Sequence, residues 1–355
     1  MPKVINFADL VNKDGVAKRV GELLFATAYE TNDLGLVCEI ITNQKNGGKV
    51  SFLKPFAAVG TAGGGCNPTW KSVTPDTEDK TWSMGQYEIP LSICADDWAA
   101  LLREYNLIDG NTSVDLRDRR IISEILLPML DAAKRRALWR IVWEGDTAAD
   151  TFANGGHITN GSDLTLFTMT DGLWKKLTAI GAGNPSQLVS IAANAAASYA
   201  LQEAAIYATG VATGIMDDII RKANGRIRGA GGEAFMTKRF YDALQADYEA
   251  KYNQTMPYET VSEGVQISRY RGVRLVIMPE IDAIIDEFEN DGQAWHQPYR
   301  VVYTPRVNMK AGTEDRRIDA EVELGYDTKT RENTMYSASL IGTVIGEDSM
   351  VQVAY

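Results

Sequence analysis

The stretch from Phe7 to about Asp97 is rich in turn signals and poor in helix signals, and it limits what the rest of the chain can become. Asn46-Gly47-Gly48 precedes a short alternating segment, Lys49 to Leu53. Gly60, Gly63-Gly64-Gly65, Asn67-Pro68 and Thr74-Pro75-Asp76 follow. From Trp82 to Ile93, the residues Tyr87, Ile89, Leu91 and Ile93 alternate with polar or small ones. Period-two alternation on both flanks predicts a strand on each side of an open hairpin. A tip of about 30 residues with so little apolar surface cannot bury itself, so it either stays disordered or is covered by another molecule.

The next segment has the opposite character. Asn111-Thr112-Ser113 supplies helix-capping side chains, and Ile121, Ile122, Ile125, Leu126, Met129, Leu130, Ala133, Ala137 and Ile141 recur at three- and four-residue steps. The pattern predicts one long amphipathic helix from Asp115 to Glu144, kinked or divided at Pro128 and ending at Gly145 in a left-handed cap. Asp115 with Arg119, Asp131 with Arg135 and Arg140 with Glu144 are spaced to pair along an outer face. The basic residues Arg117, Arg119, Arg120, Lys134, Arg135, Arg136 and Arg140 are interspersed with acids, which points to a solvated or subunit-facing charged stripe rather than a nucleic-acid surface.

From about Thr151 onward the sequence mixes helix and strand signals. Thr170-Asp171-Gly172 starts a helix through Ile180, and alanine-rich helical segments occupy about Ile191 to Ala208 and Ile215 to Ala223. A strand from Glu233 to Met236 leads into a helix from Lys238 to Tyr252, and Val273 to Met278 is an apolar strand that Pro279 stops. Further strands are expected at Tyr299 to Thr304, Ile318 to Tyr326 and Met335 to Ile345, so the C-terminal part should rejoin a sheet established earlier. Glu280-Ile-Asp282 and Asp286-Glu287-Phe288-Glu289 have the look of an acidic helix surface.

Composition narrows the function classes. With 355 residues, 45% hydrophobic and 23% charged, the chain is long enough for a sizeable core and for two domains or three small ones. Thirty-six basic residues against 47 acidic ones give a formal charge of −11, which disfavours a surface that grips nucleic acid or anionic lipid throughout. No secretory signal is visible at the N-terminus, and no apolar run approaches the roughly 20 residues that cross a bilayer, so a soluble protein is expected. Cys38, Cys66 and Cys94 suit free thiols in a reducing compartment.

Motifs for chemistry are few. Two histidines, His157 and His296, cannot build a multi-histidine zinc site, and no CxxC spacing replaces it. No GxSxG elbow accompanies the serines. His296, in Trp295-His296-Gln297-Pro298-Tyr299, is expected to be a loop histidine making one bond. The glycines at Gly60 to Gly65 and Gly229-Ala230-Gly231-Gly232 lack the residues of a phosphate loop and are expected to be hinges or turns. No cofactor or metal is implied, and no catalytic residue stands out.

The order of parts carries more than any motif. A weak N-terminal arm, an extended β-arm, a long helix ending in Trp143-Glu144-Gly145-Asp146, the phrase Phe235-Met236-Thr237 before a helix, and the strand Gly272-Val-Arg-Leu-Val-Ile-Met-Pro279 together resemble the major capsid proteins of tailed bacteriophages, the Hong Kong 97-like fold, over about Val20 to Gly346. The resemblance implies an α+β chain with an N-terminal arm over 1–40, an extended β-hairpin loop over 41–93, a peripheral domain with its spine helix over 94–185 and 315–355, and an α/β axial domain over 186–314. It implies a shell protein without an active site that closes head-to-tail into pentamers and hexamers of an icosahedral head around double-stranded DNA.

On that reading the hairpin lies over a neighbouring copy, and Phe52, Phe56, Trp70 and Trp82 are the inter-subunit contacts. The implied partners are further copies of the chain and virion proteins such as portal, scaffolding or decoration proteins. Packaged DNA would be near but not specifically bound, and no membrane is involved. The implied location is the virion capsid, assembled in the cytoplasm of the host bacterium. Some members carry an N-terminal scaffolding extension of about a hundred residues, whereas this chain reaches its arm within a few dozen, so scaffolding would be a separate protein or unnecessary. Two rivals stand beside this reading: an encapsulin-like nanocompartment shell on the same fold, and a soluble α/β enzyme with an unrecognised site.

Overall fold

The computed structural model describes residues 34–53, 77–94, 127–256, 258–262, 265–314, 322–327, 329 and 332–355. After a helical turn at Leu34–Val37 come β1 (Glu39–Ile41), β2 (Lys49–Leu53), β3 (Thr77–Thr81), β4 (Met84–Cys94), α1 (Leu127–Glu144), α2 (Leu173–Gly183), β5 (Leu188–Val189), α3 (Tyr199–Ile206) and α4 (Val211–Lys222). Then follow β6 (Glu233–Thr237), α5 (Lys238–Tyr252), β7 (Tyr258–Ser262), β8 (Val265–Tyr270), β9 (Val273–Met278) and α6 (Pro279–Phe288). The chain closes with β10 (Val301–Thr304), β11 (Met309–Thr313), β12 (Val322–Asp327), β13 (Glu332–Ile345) and β14 (Gln352–Ala354).

A seven-stranded sheet, β5-β14-β10-β6-β9-β8-β7, is the centre of the body. Its middle strands are apolar along nearly their whole length because both faces are covered. Successive side chains feed two different cores. Phe235, Val276, Met278, Val302 and Val353 point into one, shared with α1, α2 and α6. Ala234, Met236, Leu275, Ile277, Val301, Tyr303 and Ala354 point into the other, shared with α4 and α5.

The second sheet has five strands, with β1 parallel to β11, β11 and β12 both antiparallel to β13, and β4 along the other edge of β13. The β4–β13 register runs from Cys94 opposite Glu332 to Met84 opposite Gly342. The expected return of C-terminal strands to earlier elements is therefore found twice, as β13 beside β4 and as β14 between β5 and β10.

Several sequence expectations are corrected. The strand from Met84 does not pair with β2; β2 pairs with β3, and β4 pairs with β13. The long helix is seen from Leu127, and the part from Asp115 to Leu126 with its cap and the bend at Pro128 falls outside the described residues or at their edge. Its last turns are covered on several sides, with Leu138, Trp139, Ile141, Val142 and Trp143 all buried, so they present no solvated outer face. Arg140 and Glu144 do not pair: the Arg140 Nε donates to the Leu166 carbonyl at 3.2 Å, and its guanidinium lies 5.6 Å from the Phe288 ring centre. Lys134 is buried as well.

Gly145 has no left-handed backbone; its glycine is required by close approach. A Cβ there would stand 2.4 Å from the Thr170 carbonyl oxygen, and one at Gly172 would stand 2.5 Å from the Trp143 carbonyl oxygen. The two bare backbones meet instead through a 2.7 Å bond from Gly172 N to Gly145 O, which fastens the end of α1 to the start of α2. Pro279 stops β9 and also opens α6, as its locked φ permits.

Candidate assembly surface and a buried charge node

The described part of the hairpin is β2 with β3, and its base is closed by local backbone geometry. Gly47, at φ 78°, donates to the Trp82 carbonyl, and Trp82 N donates back to the Gly48 carbonyl, both at 2.9 Å. The Asn46 side chain accepts from Met84 N at 3.1 Å. Across the strands, the Ser51 hydroxyl donates to Asp79 at 2.6 Å. A further tie reaches the C-terminal segment, where the Lys80 ammonium donates to Asp348 at 2.9 Å.

Trp82, expected to contact another copy, is 1% exposed within its own chain. It packs with Met84, Val344, Ile41, Val50 and Leu340, and its ring lies on Gly312, where a Cβ would come within 2.8 Å of it. A glycine on β11 opens the slot that the indole fills, which no local pattern around Trp82 reveals. Phe52 is half-buried, its ring against Gly346 and 5.9 Å from the Lys310 ammonium. Phe56 and Trp70 lie outside the described residues.

Beyond the body, β12, β13 and β4 form a three-stranded ribbon. Its near end is sealed, with Tyr87 and Ile341 in the core. On α3, Leu201 is 57% exposed and Tyr207, which follows the helix, 50%; with the exposed Ala200, Ala204 and Ala208 they make an apolar surface on the outside of the seven-stranded body.

The second feature is ionic. Arg300, just before β10, is 3% exposed and joins two buried carboxylates: Nη1 donates to Glu144 at 2.7 Å, and Nη2 to Glu289. Its remaining donors hold the turn before it, Nε to the Gln297 carbonyl at 2.9 Å and Nη2 to that of His296 at 3.1 Å. Gln297 has φ 44°, a left-handed conformation unusual for a side-chain-bearing residue. The rings of His157 and His296 stack at 4.8 Å, and these groups line a cavity of 340 Å³ with Asp146, Trp174, Lys175 and Tyr355.

Burial pushes the Glu144 carboxyl up to about 7, although Arg300 pulls the other way. Burial, assisted by the charge of Arg300, pushes His296 down to about 3, and it also lowers His157 against the pull of Glu144. Glu289 and Asp282 do not belong to a solvated acidic surface. Glu289 is fully buried, and Asp282 caps α5, accepting from Lys238 N at 2.6 Å, with its carboxyl pushed up to about 6 by burial. The signal was in the spacing: Glu144 stands three residues after Ile141, and Glu289 four after Ile285, so each sits on the apolar stripe of its helix.

No family model matches the sequence, and no curated protein matches it. Solved structures do match, in three dimensions. A chain of the satellite phage P4 procapsid including size determination (Sid) protein is similar with a TM-score of 0.54 and 12% identity, over 94% of this chain and 98% of that one. Chains of Mycobacterium phage Ogopogo (TM-score 0.49, 11% identity, 91% of each chain) and of the holo-SrpI encapsulin complex from Synechococcus elongatus PCC 7942 (0.47, 10%, 91% of this chain and 87% of that one) match less well. The fold is that of phage major capsid proteins. No described helix is long and apolar enough to cross a membrane.

Proposed function

We propose that this chain is a structural shell protein of the Hong Kong 97-like type, which assembles with copies of itself into pentamers and hexamers of an icosahedral head enclosing double-stranded DNA. The observation that supports the reading most is the match to the P4 procapsid chain along nearly the full length of both chains. On this reading the division into arm, hairpin, peripheral and axial parts is kept as a proposal, with β14 reassigned to the axial part and β11 to the peripheral part because of the sheets they join.

Contacts between copies are assigned to the hairpin tip with Phe56 and Trp70, to Phe52 in part, and to the exposed apolar surface of Leu201 and Tyr207. The work is geometric, so no catalytic group is required. Portal, scaffolding and decoration proteins are the further partners of such a shell.

The test is negative-stain imaging of the purified chain and of a Phe56→Asp, Trp70→Asp double variant. The wild type should give closed particles. The variant should keep the circular-dichroism spectrum and give none. Normal particles from the variant would remove the hairpin tip from the interface, and a wild type that stays a 39 kDa monomer at high concentration would end the shell reading.

A further inference from the structure

The charge node is unfinished in a specific way. Glu289 Oε1 is sealed from solvent and has no hydrogen-bond partner, which is costly for a buried carboxylate oxygen. His157 Nε2 is 4.0 Å away, slightly too far for a bond.

The surroundings show why that gap can close. His157 belongs to the loop of residues 150–160, and this loop is already pinned to the end of α6 two residues further on. Thr159 N donates to the Phe288 carbonyl at 2.7 Å, and the Thr159 hydroxyl exchanges bonds with the Asn290 backbone at 3.0 and 3.1 Å. A shift of about 1 Å at His157 would bring a hydrogen bond into range without disturbing these contacts.

Charge counting gives the trigger. Glu144 from α1 and Glu289 from α6 face the single cation Arg300, so the buried set carries one excess negative charge. His296, stacked on His157, is neutral by virtue of burial and Arg300. Asp146, after α1, and Asp171 share the single ammonium of Lys175 from α2, at 2.5 and 2.7 Å, so Lys175 is no spare cation for the node. Tyr355, from the end of the chain, completes the wall. One proton from solvent, entering through the cavity, balances the set, and it is shared between Glu144 and His157.

We infer that this node is a proton-operated clasp: taking up one proton draws His157 onto Glu289 and adds a further tie between the loop of residues 150–160 and the end of α6, and losing it removes that tie. The clasp is independent of whether the chain builds a shell.

Hydrogen exchange of the full-length chain, corrected for the intrinsic pH dependence of amide exchange, tests it between pH 6 and 8.5. Opening of residues 150–160 should be about tenfold more frequent at the higher pH, the size of a one-unit coupling. The α4 segment, whose first turn is held by the Asp247 carboxylate, should show no such step. His157→Phe keeps an aromatic ring for the stack but removes the donor, and Glu144→Gln removes the excess charge; each should abolish the step. A flat wild-type profile, or a step that survives in either variant, would overturn the clasp. If one variant does not fold, the other decides.

Discussion

The two sheets are covered differently, and that difference separates what holds the chain together from what it offers to others. In the seven-stranded sheet the side chains of β6, β9 and β10 are buried on both faces, nearly without interruption. In the five-stranded sheet, β13 is 14 residues long, and its last part, around Ile341 and Ile345, reaches the core. Toward Glu332 the ribbon is held by strand pairing. Substitutions in the body should therefore act on folding, and substitutions on the hairpin and ribbon should act mainly on association.

The largest expected effect tests the body side. Arg300→Ala leaves Glu144 and Glu289 buried together without their cation, and breaking a buried ionic set in this way costs about 3–5 kcal/mol. Chemical denaturation at pH 7.5 should show the full loss, with part of it recovered at pH 5.5 as Glu144 takes up a proton. Loss of less than about 1 kcal/mol, the level of an exposed pair, would mean that the node is open to solvent.

Trp82 tests the boundary between the two regions, because it lies next to the hairpin yet is sealed like the body. Trp82→Ala should cost about 3–5 kcal/mol, the range for emptying an aromatic site. Gly312→Ala should cost about 1–3 kcal/mol, since its methyl group would press on the rigid indole 2.8 Å away. An unchanged unfolding midpoint for both would return Trp82 to the exposed, association-only class.

Protonation gives a smaller and more selective effect. Glu144 is raised from 4.5 to about 7, so its contribution is complete below pH 4.5 and is lost as pH rises through 7. His296 is lowered from 6.5 to about 3, so its contribution is complete above pH 6.5 and is lost as pH falls toward 3. Between pH 6.5 and 7 the Glu144 decline therefore stands alone of the two. Glu144→Gln should flatten it, by less than about 1 kcal/mol over that interval. An identical decline in the variant would assign it to another group.

The body was the more legible region in the sequence, for a physical reason. Helix α5, strand β9 and the helix after Gly172 were readable because burial against one or two fixed faces imposes a period that local composition displays. The pairing of β4 with β13 spans some 240 residues, and nothing within either strand names its partner. The burial of Trp82 is not legible locally because the slot that takes it is made by Gly312, far along the chain. The Arg300 node was invisible for the same reason: its carboxylates come from α1 and α6, and each looked locally like part of a charged helix surface. The individual elements of the α/β body are thus legible from pattern, while the contacts that close each core are not.

The smallest expected effect sets the limit of the comparison on the hairpin itself. Lys49 and Lys80 sit on the two paired strands, and each meets an aspartate. The Lys49 side chain is 69% exposed and stands 3.8 Å from Asp79, within the hairpin. The Lys80 side chain is 28% exposed and holds Asp348 at 2.9 Å, tying the hairpin to the body. Removing an exposed, loosely placed charge should cost less than about 0.3 kcal/mol, and removing the half-buried tie about 0.5–1 kcal/mol. In unfolding experiments at low and high salt, Lys80→Ala should thus exceed Lys49→Ala, and the gap should narrow as salt screens the Asp348 contact. Equal losses would show that the base of the hairpin is anchored by its backbone bonds and the Trp82 slot alone, with the C-terminal segment contributing nothing to its position.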